Sequence, residues 1–114
     1  MEEMESVKPR RLDPDSVRYL TQLESQINAQ DLSDLVAEVL VENVLDEIKI
    51  KTASAACDRH TNGIIERLCH LSNKSQAVEI CSRMIPYISF LVENRFSSHV
   101  LQVFHSLSQF VENP

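Results

Sequence analysis

Glycine and the large aromatic residues are scarce in this chain of 114 residues, which has one glycine, no tryptophan, two tyrosines and four phenylalanines. Loops that bring backbone N–H groups to a phosphate or an oxyanion depend on glycine, so a P-loop or a nucleophile elbow is not expected. No stretch approaches the roughly 20 apolar residues that a membrane-spanning helix needs. We therefore expect a soluble protein whose function does not depend on a glycine-rich phosphate loop.

The cysteines are few and isolated. Cys57, Cys69 and Cys81 are odd in number and form no Cys-x-x-Cys pair, which argues against a disulfide framework and a zinc ribbon. We predict that they are small core thiols. Residues 1–5 are acidic and have neither the basic end nor the apolar run of a secretory signal, so a reducing compartment is expected.

A metal or catalytic site would have to use the histidines beside these cysteines. Cys57 precedes His60 by three positions, and Cys69 is adjacent to His70. Adjacent residues of a helix point to different faces, so Cys69 and His70 are poorly placed to share a metal ion. We predict no catalytic residue, no metal site and no cofactor, and hence that the chain is not an enzyme.

The net charge of −6 is concentrated in the first half of the chain. Residues 1–55 hold 6 basic and 12 acidic side chains, whereas residues 56–114 hold 5 of each. Phosphate neutralisation dominates nonspecific binding of nucleic acids, so an acidic chain binds them poorly in that mode. Any role with nucleic acid must therefore depend on local contacts or on a larger basic protein.

Helical periodicity extends through most of the sequence. Asp13 before Pro14 is a typical helix start, and the apolar residues that follow predict a helix over residues 14–29. A second helix, with a wide apolar stripe and an acidic opposite side, is predicted from residues 31–33 to about 48. Further helices are predicted over 52–57, 61–71, 76–84, 87–92 and 97–107, with a loop at 72–75 and with Asp58 capping the helix that begins near 61.

Residues 1–12 are charged and contain Pro9 but show no apolar period, so they are predicted to be a flexible lead-in. Lys8, Arg10 and Arg11 form a small basic cluster within it. Such a cluster could be a nuclear localisation signal, a phosphate contact or a solvated tail. For so short a run the solvated tail is favoured.

Two blocks of the sequence, residues 58–66 and 94–102, repeat one pattern 36 residues apart. Each opens with Asp or Asn and carries an aliphatic pair six and seven positions later. A fixed period of this length is typical of stacked helical repeats. Each block leaves three outward positions spaced i, i+1 and i+4, which lie together on one helix face. The first triplet is Asn62, Gly63 and Glu66, and the second is Ser98, His99 and Gln102.

The blocks resemble the Pumilio (PUF) repeat, whose second helix opens with Asp-x-Phe-Gly-Asn-Tyr-x-x-Gln. Residues 94–102 match this pattern well, and residues 58–66 match less well, with His60 in the phenylalanine place and Gly63 in the aromatic place. The helix start at 12–14 and the segment 41–48 are similar to the opening of the nucleolar protein nine family. This resemblance implies an all-α fold, a right-handed α-solenoid, in a protein of the nucleus that is located in the nucleolus. It also implies that the solenoid binds precursor ribosomal RNA during small-subunit (18S) rRNA maturation. The implied protein partners are those of the pre-ribosomal particle.

The resemblance divides the chain into three parts. Residues 1–12 are the lead-in, residues 13–51 form N-terminal capping helices, and residues 52–114 hold about one and a half Pumilio-like repeats, truncated at the C-terminus. The chain would then be the N-terminal part of a longer array.

The same resemblance assigns roles within each triplet. The i and i+4 side chains bind the edge of one base and the i+1 side chain stacks between bases. Ser98 and Gln102 would be edge readers and His99 the stacker, a combination that favours adenine in the family. Asn62 and Glu66 could meet an edge in the first repeat, but Gly63 offers no stacking surface. Arg59 and Arg95 occupy a place where the family has a side chain that helps to stack or touches phosphate.

Less specific interpretations remain open for these residues. Ser98, His99 and Gln102 could be a solvated helix face, and Arg59 and Arg95 could pair with Glu93 or Glu66. A second class of function, a helical-repeat scaffold that binds proteins, is indicated by the acidic residues between 31 and 48, which would repel RNA and attract a basic partner.

Overall fold

The computed structural model describes residues 8–94, together with residues 102 and 105. This part of the chain is helical and contains no strand. Short 3-10 turns, Lys49–Lys51 and Ile85–Tyr87, precede the third and sixth α-helices. The helices are α1 Pro14–Ile27, α2 Asp34–Ile48, α3 Thr52–Cys57, α4 Asn62–Leu71, α5 Lys74–Met84 and α6 Ile88–Glu93. The helix predicted over 97–107 lies outside the described residues except for 102 and 105, which are both helical.

Helix α1 begins where the sequence predicted. The Asp13 carboxylate accepts hydrogen bonds from the Ser16 backbone N–H at 3.1 Å and from the Ser16 hydroxyl at 2.8 Å. These bonds satisfy an N–H group that has no partner within the helix. The helix ends at Ile27 rather than at residue 29, and both Leu20 and Ile27 are fully buried. The predicted inward stripe of α1 is therefore confirmed.

Helix α2 is buried along only part of its predicted apolar stripe. Ser33 caps it by accepting a hydrogen bond from the Val36 backbone N–H at 3.3 Å. Its second half packs into the core, where Val41, Val44, Leu45 and Ile48 are buried. In its first half Ala37 is buried and Leu40 packs against the core, but three apolar side chains of the predicted stripe remain exposed. These are Leu35, Val36 and Val39, at 70%, 52% and 53% exposure.

Small residues allow α3 to pack closely against α4 and α5, as the sequence predicted. Ala53, Ala55 and Ala56 are all at most 1% exposed. The prediction that Asp58 caps the next helix is wrong. Asp58 instead ends α3, and its carboxylate accepts a hydrogen bond from the His60 backbone N–H at 2.8 Å, which closes a turn before α4. Thr61 takes the N-cap position of α4.

The loop predicted over residues 72–75 is shorter than expected, because α5 begins at Lys74. Asn73 and Gln76 form a reciprocal capping box. The Asn73 side chain accepts from the Gln76 backbone N–H at 2.8 Å, and the Gln76 side chain accepts from the Asn73 backbone N–H at 3.1 Å. This pair satisfies two N–H groups at the helix start and allows the chain to re-enter a helix after only two residues.

The backbone itself repeats with the period seen in the sequence. The 3-10 turns begin at residues 49 and 85, and α3 and α6, each six residues long, begin at residues 52 and 88. Both helices end on an extended residue, Asp58 with φ −84° and ψ 135° and Asn94 with φ −83° and ψ 128°. Corresponding elements thus lie 36 positions apart, and the 3-10 turn and short helix that begin at residue 49 recur from residue 85 within the described residues.

The end of the predicted lead-in packs against the helices. Pro9 and Leu12 are buried, and Leu12 belongs to the hydrophobic core. The Lys8 ammonium lies 5.7 Å from the centre of the Phe90 ring, within reach of a cation–π interaction. The burial of two apolar residues differs from the flexible, solvated segment expected here, since an apolar side chain gains free energy by leaving water.

Candidate nucleic-acid interface

The first triplet lies at the start of α4, on the side opposite the buried residues Ile64, Ile65 and Leu68. The Asn62 side-chain amide donates to the carbonyl oxygen of Asp58 at 2.9 Å and to that of Arg59 at 3.2 Å. These bonds engage both N–H groups of the amide. A ligand at this position would therefore meet the Asn62 side-chain oxygen.

Gly63 and Glu66 complete the first triplet. Gly63 is exposed, and a Cβ atom placed on it would have nothing within 4 Å. Glu66 is half-buried and lies one turn further along α4 than Asn62. A carboxylate only accepts hydrogen bonds, so Glu66 suits the N–H groups of a base edge. The missing stacking group at position 63 reflects the residue type and not a lack of space.

Arg59 lies in the turn that leads into α4, and its side chain is exposed. It forms no ion pair with Glu66 or Glu93, both of which the structure describes. The structure therefore gives no support to the pairing that was the alternative interpretation of Arg59. Arg59 lies close to Asn62 in the sequence and in the turn before α4. Its contact with a base or a phosphate stays a prediction.

The second triplet is described in part. Gln102 is helical and exposed. Ser98, His99 and Arg95 lie outside the described residues. Their predicted roles in reading and stacking a base stay predictions.

Two side chains that the sequence pattern did not single out hold α4 in place. Thr61 is fully buried, and its hydroxyl donates to the Ala55 carbonyl oxygen at 2.6 Å, which fixes the start of α4 against the end of α3. The Arg67 guanidinium donates through Nε to the Ile27 carbonyl oxygen at 3.2 Å. Because the last carbonyl groups of a helix have no partner within it, Arg67 caps α1 and docks α4 against it.

Cys69 is a core thiol, as predicted for all three cysteines, whereas Cys57 and Cys81 are only half-buried. Burial raises the pKa of the Cys69 thiol to about 12, with smaller contributions from Cys81 and Glu66. Burial also raises the pKa of Cys57 to about 11 and raises that of Cys81. A thiol acts as a nucleophile or a metal ligand in its ionised form, so these cysteines are held in the unreactive form at neutral pH.

Metal ligands and membrane-spanning segments would indicate other classes of function. Cys69 is buried whereas its neighbour His70 is exposed, and within the described part of the chain no three His, Cys, Asp or Glu side chains group as metal ligands would. None of the helices that the structure describes is long and apolar enough to cross a membrane.

Comparison with known protein families identifies this chain. A family model described as the NOP9-like PUF repeat domain matches residues 50–113. No curated protein and no solved structure matches the chain. The matched range begins in the 3-10 turn before α3 and includes both nine-residue blocks, 58–66 and 94–102. PUF repeats form a family of helical, RNA-binding units that are generally not catalytic. The predicted family is thereby confirmed, and the chain belongs to the NOP9-like PUF repeat family.

Proposed function

We propose that this chain is part of a right-handed α-solenoid that binds single-stranded regions of precursor ribosomal RNA in the nucleolus, during maturation of the small-subunit rRNA. The observation that carries the proposal is the 36-residue period of the backbone, with α3 and α6 beginning at residues 52 and 88, inside the range that the PUF family model matches. Each unit offers one polar triplet from its second helix to one base.

The second triplet supplies the chemistry for binding adenine. A carboxamide such as that of Gln102 both donates and accepts hydrogen bonds, which matches the adjacent donor and acceptor on the adenine edge. The hydroxyl of Ser98 adds a second polar contact. An imidazole such as that of His99 offers a flat π face, and base stacking on such a face contributes about 1–3 kcal/mol per base.

The first triplet contributes less to binding. The Asn62 amide already donates both of its N–H groups to the turn at residues 58 and 59, and Gly63 has no side chain to stack against a base. Glu66 remains as an acceptor for the N–H groups of guanine. The first unit therefore acts mainly as a support for the second.

Binding of the full chain to fluorescently labelled single-stranded RNA tests this function. Replacing Ser98, His99 and Gln102 together by alanine should weaken binding at least about tenfold and abolish the preference for adenine, because the stacking of one base is removed. A control with the same three residue types, Ser25→Ala, Gln26→Ala and His70→Ala, changes exposed positions outside both blocks and should bind as the wild type does. Unchanged affinity and base preference in the first variant would remove the site assignment.

The identity of the RNA is tested in cells. The tagged protein should be found in the nucleolus, and crosslinking should recover precursor ribosomal RNA that contains the small-subunit sequence. Recovery of messenger RNA without ribosomal precursors would contradict this part of the proposal.

One observation favours a second function, a scaffold for proteins. Leu35, Val36 and Val39 expose an apolar face on α2. The exposed carboxylates Asp34, Glu38 and Glu42 lie beside that face along the same helix. Apolar area rimmed by acidic groups fits a basic amphipathic helix of a partner protein. Binding to a pre-ribosomal protein that survives nuclease digestion but is lost in Leu35→Ser, Val39→Ser would establish this function, whereas binding abolished by nuclease would exclude it.

A further inference from the structure

A basic cavity lies between the N-terminal segment and the turn that precedes α3. Lys8, Arg10 and Arg11 line it together with Lys51, and its volume is about 520 Å³. The hydroxyl-bearing residues Ser54 and Tyr87 also line it. Four cationic side chains around one cavity are unexpected in a chain whose net charge is −6.

The packing of the N-terminal segment places these charges. Pro9 and Leu12 are buried while Arg10 and Arg11, between them, are exposed. Lys8 is held over the Phe90 ring, 5.7 Å from its centre. The apolar anchors thus fix the backbone of residues 8–12 and direct the two guanidinium groups toward solvent at the cavity.

The cavity has a surplus of positive charge. Its one acidic lining residue, Asp13, is paired with Lys51, whose ammonium lies 2.9 Å from the carboxylate and 3.2 Å from the Ser16 hydroxyl. The Lys51 ammonium, with the Ser16 hydroxyl, holds the pKa of Asp13 well below its usual range. Arg10 and Arg11 form no ion pair with any residue that the structure describes. Their planar guanidinium groups match two oxygens of a phosphate at once.

The cavity continues toward the first triplet. Arg11 also lines a second, more open cavity of about 760 Å³, whose lining includes Arg18, Asp58 and His60. Residues 58 and 60 belong to the turn that immediately precedes Asn62 on α4. A strand of RNA at the triplet could therefore extend along this turn to the basic cavity without leaving the surface.

We propose that Lys8, Arg10 and Arg11 form a phosphate-binding site for the sugar–phosphate backbone of single-stranded RNA, next to the first repeat. The site rests on the proposed RNA binding and adds a contact that is independent of the base. Phosphate groups are the same in every sequence, so the site contributes affinity and position and carries no base preference. Lys51 balances Asp13 and prevents that carboxylate from repelling the phosphate.

The salt dependence of RNA binding tests this site. Arg10→Gln and Arg11→Gln are made singly and together, with Lys74→Gln as the control, since Lys74 is exposed but does not line the cavity. The probes are a uridine-only and an adenine-only single-stranded RNA of equal length. Each arginine variant should bind both RNAs about threefold more weakly, and the slope of log affinity against log salt should fall by about 0.7 for each phosphate that the variant no longer neutralises. Lys74→Gln should change neither quantity.

The outcomes separate the site from the function on which it rests. If the wild type binds neither RNA, both proposals fail. If the wild type binds RNA and the double variant keeps the wild-type affinity and salt slope, only the phosphate site fails. A slope reduced equally by Lys74→Gln would also overturn it, because the effect would then come from net charge. Arg10 and Arg11 are exposed, so the helical circular dichroism of the variants should equal that of the wild type.

Discussion

The guanidinium of Arg83, in α5, donates to the carbonyl oxygen of Leu45, in the last turn of α2, at 2.8 Å. The same Nη1 atom lies 3.2 Å from the Lys49 carbonyl oxygen and 3.2 Å from the Thr52 hydroxyl. The Leu45 carbonyl oxygen also accepts from the Lys49 backbone N–H, and the Lys49 carbonyl oxygen accepts from the Thr52 hydroxyl. Arg83 therefore adds a charged donor to the end of α2 from α5, the third helix of the following unit, and it docks the first repeat onto the N-terminal helices.

Replacing Arg83 should destabilise the chain. Arg83→Ala removes this charged donor from two carbonyl groups and one hydroxyl, and we expect a loss of about 1–3 kcal/mol in the free energy of unfolding. Arg83→Lys should recover only part of it, because an ammonium is more strongly hydrated than a guanidinium and the lysine side chain is one bond shorter than the path to Nη1. Glu79→Gln removes only the exposed ion pair to Arg83 and should cost less than about 1 kcal/mol. Urea denaturation measures all three, and equal effects of Arg83→Ala and Glu79→Gln would contradict the capping role.

Thr61 should contribute through its hydroxyl and not through its shape. Thr61→Val keeps the volume but removes the buried hydrogen bond to the Ala55 carbonyl oxygen, at an expected cost of about 1–3 kcal/mol. Thr61→Ser keeps the hydroxyl and loses one methyl group, so it should be the more stable of the two variants. Thermal unfolding compares them directly, and a valine variant as stable as the wild type would show that this bond does not hold α4 in place.

Lys49 has a positive φ of 46° with ψ −120°, a backbone conformation that favours glycine. Lys49→Gly should therefore raise the free energy of unfolding by about 1 kcal/mol. Ser82→Gly, at an exposed position within α5, should lower it by about 0.5–1 kcal/mol, because glycine is unfavourable inside a helix. A loss of stability in both variants would mean that Lys49 is not strained.

The three thiols should differ in reactivity. Alkylation near pH 8 should modify Cys69 most slowly, because it is buried and its pKa is raised to about 12. In urea all three should react at similar rates. The Cys69 thiol ionises near its ordinary pKa of 9.0 in the unfolded chain, whereas in the folded chain it keeps its proton to higher pH. The stability gained by burying the protonated thiol is therefore complete below pH 9.0 and falls as the pH rises toward 12. Fast modification of Cys69 in the folded chain would contradict its placement in the core.

Gly63 offers a gain-of-function test of the first triplet. Gly63→His adds a flat π face where a Cβ meets nothing within 4 Å, and stacking one base should strengthen RNA binding by about 1–3 kcal/mol. Gly63→Ala is the control, since alanine also removes the helix penalty of glycine, more fully than histidine does, but has no π face. Equal RNA affinities of the histidine and alanine variants would show that no base lies beside position 63.

The sequence predicted those parts of the fold that depend on neighbouring residues. Asp13 before Pro14 predicted the start of α1, and the small residues of 52–57 predicted a closely packed helix. The spacing Asn73-x-x-Gln76 is a capping-box pattern and could have placed the start of α5 correctly. The prediction that Asp58 caps α4 was wrong, because Asp is common both in turns and at helix starts and its presence does not distinguish the two.

Other features depend on contacts between distant parts of the chain. Arg67 and Arg83 cap helices that lie about 40 positions earlier in the sequence, and nothing in their own surroundings in the sequence indicates this. The burial of Leu12 is likewise not indicated by its neighbours in the sequence. It places the basic cluster of Lys8, Arg10 and Arg11 at the cavity that Lys51 also lines. The positions of both triplets were predicted from the 36-residue period of the sequence alone. Gln102 is the member of the second triplet that the structure describes.

A change of base preference tests the central claim most directly. The carboxamide of Gln102 suits adenine, whereas a carboxylate accepts only and suits the N–H groups of guanine. Two single-stranded RNAs that differ by one adenine-to-guanine change are titrated against the wild type and Gln102→Glu. We predict that the wild type prefers the adenine RNA and that the variant prefers the guanine RNA. Equal binding of both RNAs by both proteins would contradict the base-reading role of the triplet.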